Sequence, residues 1–176
     1  MGILIISTSL NPSSRSHLLA EYVSLQLTEN GDKGAQIDLR KLPLPLCDGN
    51  KAYGDENVQS VAAQIKAASG IILASPIYNY DVNAAAKNLI ELTGKSWMEK
   101  PVGFLCAAGG KSSYMSIMGI ANSLMLDFRC HVLPRFVYST GEDFSNAGIS
   151  SSEVKDKLNG FCLKFREFVD VIDKVN

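Results

Sequence analysis

Three short segments hold most of the side chains that could do chemistry. The first, residues 7–16, reads STSLNPSSRS. Ser9, Asn11, Ser14 and Ser16 each bring a hydrogen-bonding group without bulk, and Arg15 adds a positive charge. Where such a run joins an apolar strand to a helix, its hydroxyls and backbone N–H groups can surround an anion. The positive end of the helix dipole favours that anion further. The GxxxxGK[ST] and GxGxxG patterns are both absent, which argues against a nucleoside triphosphate or a Rossmann dinucleotide at this turn. Taken alone, the run fits a phosphate cradle and a hydrophilic connector capped by Ser14 or Ser16 equally well. Its position directly after the first strand favours phosphate.

The second segment, residues 75–83, reads SPIYNYDVN. Pro76 sets its own φ and biases Ser75 toward extended backbone, which suits a shaped wall. Ile77, Tyr78 and Asn79 can then face a planar ligand with apolar, aromatic and amide surface. Tyr78 or Tyr80 closing the core or an interface is the competing reading. The third segment, residues 107–114, reads AAGGKSSY. Gly109 and Gly110 let backbone amides approach a flat ring edge that side chains would obstruct. Amides so placed stabilise negative charge developing on a ring. A plain connector with Ser112 or Ser113 as a helix cap fits the same residues.

Other reactive residue types lack a constellation. His17 follows the first segment and His131 opens a strand, so no His-based triad is evident. Ser9 has no GxSxG elbow around it. Cys47, Cys106, Cys130 and Cys162 are scattered without paired spacing, which predicts free thiols in a reducing compartment rather than a metal or disulfide framework. Trp97 reads most simply as an interface or surface-loop aromatic.

The elements that must position the three segments follow from apolar periodicity. Short β-rich runs at residues 3–6, 36–39, 70–74, 102–107 and 131–137 alternate with helical stretches. The first helix carries Leu18, Leu19, Tyr22, Val23 and Leu27 on one face and ends near Asn30 and Gly31. Residues 40–56 contain two prolines and two glycines and read as a long loop. Asn57 is positioned to cap a helix through residue 68. Further helices are expected over residues 84–92, 114–126 and from Val154 to Ile172. No repeat or linker interrupts the alternation, so residues 1–176 are expected to form a single domain. Right-handed crossovers then predict an α/β/α three-layer open sheet of five parallel strands. Such sheets bind ligands beyond the carboxyl ends of their strands, where all three segments fall.

The chain has 176 residues, 46% hydrophobic and 20% charged, with a formal net charge of −1. That balance offers no basic field for nucleic acid or an anionic membrane. No apolar run approaches the ~20 residues of a membrane span, and the start does not read as a signal peptide, so a cytoplasmic location is expected.

Taken in order, the segments resemble the NAD(P)H-dependent FMN reductase family of the flavodoxin-like superfamily. The resemblance runs over residues 3–138. It rests on Thr8, Ser9 and Leu10 through Ser14 and Ser16, on Ser75-Pro76-x-Tyr78-Asn79 with Lys87 and Asn88 downstream, on Gly109-Gly110, and on Val132-Leu133-Pro134. It implies strand order 2-1-3-4-5, FMN across the carboxyl ends, NADPH or NADH as electron donor, a small-molecule acceptor, and a homodimer or homotetramer. By position, Ser9, Asn11, Ser14 and Ser16 would hold the FMN phosphate, with Arg15 contributing charge. Pro76, Ile77, Tyr78 and Asn79 would line the ring and ribityl chain, and Gly109, Gly110 and Ser112 the pyrimidine edge. The sequence departs from the family at Asn11, where arginine is frequent, and at Ile77, where glutamate is common. Tyr80 replaces a small residue, and Lys111 enlarges the third segment. An electron carrier of the flavodoxin type, without nicotinamide turnover, and a regulatory domain that has lost flavin are the alternatives. Near-neutral charge and the absent flavodoxin-type Ser/Thr-x-Thr-Gly loop argue against the carrier.

Overall fold

The computed structural model describes residues 2–32 and 34–175. The first strand, β1 (Ile3–Ser7), is buried at every residue, as is β5 (Pro101–Ala107). Between them lies β3 (Gly70–Tyr78), buried up to its last residue. Strands apolar on both faces are what a parallel sheet covered by two helical layers requires. Successive side chains do point to opposite layers: Ile3 and Ile5 pack on one side, Leu4 and Ile6 on the other.

The layer over Ile3 and Ile5 holds helices α1 (Arg15–Glu29) and α5 (Ser152–Val175). The opposite layer holds α2 (Glu56–Ala67), α3 (Ala84–Thr93) and α4 (Met118–Phe128). With β2 (Ala35–Asp38) at one edge and β6 (His131–Val132) at the other, the sheet runs β2-β1-β3-β5-β6, all parallel. This is the expected flavodoxin-like order.

The elements differ from the sequence reading in instructive places. The third strand does not stop at Ala74. It continues through Pro76 to Tyr78 and turns back as β4 (Asp81–Val82), with Ile77 opposite Val82 and Tyr78 opposite Asp81. Asn79 and Tyr80 form the two-residue turn at φ +51° and +66°. Both signs match the primed turns whose twist suits a hairpin. The fifth strand is broken: β7 (Val137–Ser139) resumes on β5 after an interruption at 133–136. The helix expected from Tyr114 starts as a 3-10 turn (Lys111–Ile117) kinked at Ser113, and α4 follows it. Helix α2 is capped by Asp55, not Asn57, because the Asp55 carboxylate accepts from the backbone N–H groups of Asn57 and Val58.

After β7 a small hairpin of β8 (Phe144–Ser145) and β9 (Gly148–Ile149) precedes α5. Trp97 is fully buried rather than at a surface loop, and its indole N–H donates to Thr93 Oγ1 at 2.8 Å. All four cysteines are free. Among the described residues no cluster of metal-ligating side chains occurs, and no helix is long and apolar enough to cross a membrane.

Candidate functional site

The carboxyl ends of β1, β3 and β5 bring the three sequence segments to one cavity of about 580 Å³. Ser9, Asn11, Ser14, Arg15 and Ser16 line it from the first turn, Pro76 to Asn79 from the second, and Gly109 from the third. Gly110 and Ser112 are not in its lining. Ser112 is exposed on the 3-10 turn, and the Gly110 carbonyl accepts from the Tyr138 hydroxyl at 2.6 Å. Ser13, Ala107 and Ala108 line the cavity without having been singled out. Among the described residues no carboxylate does so.

The first turn is built as a ring of small dipoles. Asn11 N donates to Ser9 Oγ at 3.3 Å, and Asn11 Oδ1 accepts from Ser13 N at 2.9 Å. Ser14 caps α1 by accepting from His17 N at 3.1 Å, and its hydroxyl lies 3.0 Å from that of Ser16. Helix geometry leaves the first-turn N–H groups of Arg15 and Ser16 without intrahelical acceptors. Serine hydroxyls and these amides share one helix tip, an arrangement complementary to an oxyanion. The Arg15 guanidinium is turned to the rim, 5.9 Å from the Phe144 ring centroid. It lies so close over Gly141 that a Cβ there would sit 2.9 Å from its Nη1.

Residues outside the lining hold the turns in place. Asn83 is 7% exposed and links two of them. Its Nδ2 donates to Thr8 O at 2.8 Å, while its Oδ1 accepts from Thr8 Oγ1 at 2.8 Å and Ser75 Oγ at 3.0 Å. A buried amide with all these partners fixes the first turn against the second. The signal was in the sequence, since Asn83 closes the second segment, but only contact shows its job. A second brace comes from β2: Arg40 donates from Nε and Nη2 to the Asp38 carboxylate and from Nη1 to Pro12 O at 3.1 Å. Burial alone would raise the Asp38 carboxyl, but the Arg40 hydrogen bonds and charge outweigh it and hold the group below its usual range.

Ser7, His17 and Glu21 do line up, with Ser7 Oγ 3.1 Å from His17 Nδ1 and Glu21 Oε1 3.2 Å from His17 Nε2. Ser7 is fully buried, however, so no substrate reaches its hydroxyl. The row is a packing feature beneath the first turn, not a nucleophile.

A cavity walled by a helix-tip cradle, a Pro-Ile-Tyr strand end turning at Asn79 and a glycine edge has relatives. Residues 1–144 match the family described as NADPH-dependent FMN reductase. The chain belongs to that family. An NADPH azoreductase of Bacillus sp. (strain OY1-2) is 26% identical over 177 residues, spanning 99% of this chain and 96% of the relative. An FMN-dependent NADH:quinone oxidoreductase of Shewanella frigidimarina (strain NCIMB 400) is 33% identical over 112 residues, 53% of this chain and 55% of the relative. The flavoenzyme NAD(P)H:(acceptor) oxidoreductase FerB of Paracoccus denitrificans has the same fold, with a TM-score of 0.77 at 20% identity over 98% of this chain and 97% of that one.

As a member of the FMN reductase family, this chain is an FMN-dependent NAD(P)H oxidoreductase. Its donor set suits that cofactor. The helix tip offers hydroxyls and amides to a phosphate, and a Cβ added at Gly109 or Gly110 would meet nothing within 4 Å, so backbone there is open to a ring edge. A volume of about 580 Å³ lies within the range of about 300–1,000 Å³ typical of small-molecule sites.

Proposed function

We propose that residues 1–176 act as one catalytic unit in which the first turn holds the FMN phosphate and the other two turns frame its ring. Bound FMN supplies the ring system that accepts hydride from NADPH or NADH and passes electrons to an acceptor. Ser9, Ser14, Ser16 and the amides of Arg15 and Ser16 grip the phosphate. Arg15, held at the rim, supplies the nearest cationic charge. Asn11 orients the turn through Ser13 N rather than pairing with phosphate, as a family arginine would. Pro76, Ile77, Tyr78 and Asn79 form the wall beside the ring and ribityl chain. Ile77 makes that wall apolar where the family often places a carboxylate. Gly109 bounds the pyrimidine edge, where a backbone amide opposes developing negative charge, and Gly110 and Ser112 stand behind it outside the cavity. No side chain of the lining is placed as an obligate acid or base; catalysis rests on positioning.

The observation that carries this reading is the convergence of a carboxylate-free helix-tip cradle and an open glycine edge on one cavity. The relatives named for azo and quinone substrates support azo compounds, quinones or free flavin as acceptors. The working form is a cytoplasmic homodimer or homotetramer. Exposed Met118, Met125 and Leu126 on α4 support burial of that face against another copy.

The test is anaerobic. FMN is added to the purified chain, then NADPH or NADH, and flavin absorbance is followed. Rapid bleaching is expected. Tight flavin binding without bleaching would make the protein an electron carrier, and no flavin binding would remove the enzyme reading.

A further inference from the structure

A second concave surface lies at the far edge of the sheet, between the broken fifth strand and α5. Val132 pairs with Val102 and Val137 with Leu105, so five steps along the edge strand match three along β5. The two extra residues make a bulge, the device by which edge strands re-aim side chains. Here it turns Arg135 and Phe136 into a groove of about 440 Å³ whose other wall is α5.

Three independent features of this groove point to one kind of ligand. The first is aromatic. Tyr114 stacks on Phe136 with ring centroids 4.8 Å apart and an interplanar angle of 26°, yet remains 49% exposed, so one flank of the pair is open. The second is charge. Arg135, Lys157 and Lys164 line the groove, and among the described residues no carboxylate does. Lys157 pairs with Glu153 at 2.6 Å, but among the described residues neither Arg135 nor Lys164 takes part in an ion pair. The third is the floor. Gly160 sits inside α5, where glycine disfavours the helix, and a Cβ there would meet nothing within 4 Å. Neighbour packing does not demand this glycine. Its lack of a side chain keeps the groove deep.

We infer that this groove is a ligand subsite for a planar aromatic ring carrying a phosphate or sulfonate. The ring stacks beside Tyr114 over Gly160, and Arg135 and Lys164 bind the anion. An adjoining hollow, also about 440 Å³, shares Tyr114, Phe136 and Lys157 with it and reaches Tyr138 and Lys111, but Glu142, Asp143 and Glu153 line it too, so the anion belongs in the groove and not in the hollow. The Tyr138 hydroxyl meets Ser113 Oγ at 2.9 Å and the Gly110 carbonyl at 2.6 Å. Two ligands of the proposed reductase share this chemistry: the adenosine phosphate end of the nicotinamide donor and a sulfonated aryl acceptor. Linking the groove to hydride transfer rests on the proposed function; the binding itself does not.

The test is calorimetric titration of the purified chain, without nicotinamide, using adenosine 2′,5′-bisphosphate and 1-naphthalenesulfonate as probes and adenosine as the uncharged control. At least one anionic probe is expected to bind saturably, with adenosine at least tenfold weaker. Arg135→Ala with Lys164→Ala should weaken that probe tenfold or more. Gly160→Leu should block it by filling the floor, whereas Gly160→Ala should leave it within twofold. Bisphosphate alone assigns the groove to the donor, sulfonate alone to the acceptor, and both to the shared chemistry. Absence of binding by either probe, or binding indifferent to the charge variants, overturns the proposal. If Gly160→Leu does not fold, the charge variants still decide. FMN titration of the same proteins separates the two readings: the variants should keep wild-type FMN affinity. A chain that binds the probe but not FMN would lose the reductase reading and keep the groove.

Discussion

At the scale of single residues, two kinds of polar group meet at the site, those facing the cavity and those holding the turns from behind. Ser9 and Ser14 face it. Replacing both with alanine should weaken FMN about 10- to 100-fold, as expected for losing two hydrogen bonds to a charged group. Lumichrome, which lacks the phosphate, should bind unchanged; equal loss of both ligands in a fluorescence titration would contradict the phosphate role. Ser14→Ala also removes the α1 cap and should cost about 1 kcal/mol in urea unfolding. Asp38 belongs to the second kind. Its carboxylate is 8% exposed and holds Arg40 against Pro12 O. Because its folded pKa lies below the ordinary value, it adds stability above the unfolded pKa of about 3.9, and that contribution is lost as pH falls further. Asp38→Asn should lower stability at pH 7 by about 1.5–3 kcal/mol and flatten the pH dependence below about pH 4. Unfolding midpoints measured across that window read both effects.

At the scale of elements, α5 reaches the sheet only because two strand positions lack side chains. A Cβ at Gly103 of β5 would lie 2.6 Å from Phe161 Cζ and 3.0 Å from Phe165 Cδ2. At Gly70 of β3 it would lie 2.5 Å from Val169 Cγ2. The ring stack of Phe161 on Phe165, with centroids 5.7 Å apart, lies across this contact. Gly103→Ala should therefore destabilise by about 1–3 kcal/mol through overpacking. The damage should spread along α5 toward Lys157 and Gly160, read as lost hydrogen-exchange protection in that helix. An unchanged exchange pattern would mean the helix is not seated by this glycine. Apolar spacing was enough to find α5. The glycines that let it approach carried no signal in the sequence, because a small residue in a strand is informative only once its neighbour across the layer is known.

At the scale of the whole molecule, the core shields three of the four thiols. Burial pushes Cys106 and Cys130 up to about 12 and Cys162 up to about 11. Thiolate is the reactive form, so a disulfide-exchange reagent at neutral pH should titrate Cys47 alone in the native chain and all four in urea. Prompt modification of two or more native thiols would indicate local opening of a layer. FMN at 100 times its dissociation constant should add about 2.7 kcal/mol to the global stability, slowing access to the buried thiols.

The alternation of apolar runs settled the layered architecture, the family resemblance implied the strand order, and the small-residue segments named most of the cavity lining. These features are local: a strand's two buried faces and a turn's composition are written in consecutive residues. What depended on contacts between distant residues was decided by the tertiary structure alone. Asn83 became a clamp because Thr8 lies beside it across the sheet. Ser112 and Gly110 fell outside the cavity because the chain beyond Gly109 tightens into a 3-10 turn tethered by Tyr138. Trp97 went inside because the short turn Gly94–Trp97 packs against α2, α3 and α4 and Thr93 accepts its indole N–H. Arg135 and Phe136 acquired a shared direction only when two extra residues bulged from the edge strand. Composition and period constrain each segment separately; the free energy of a site depends on which segments meet.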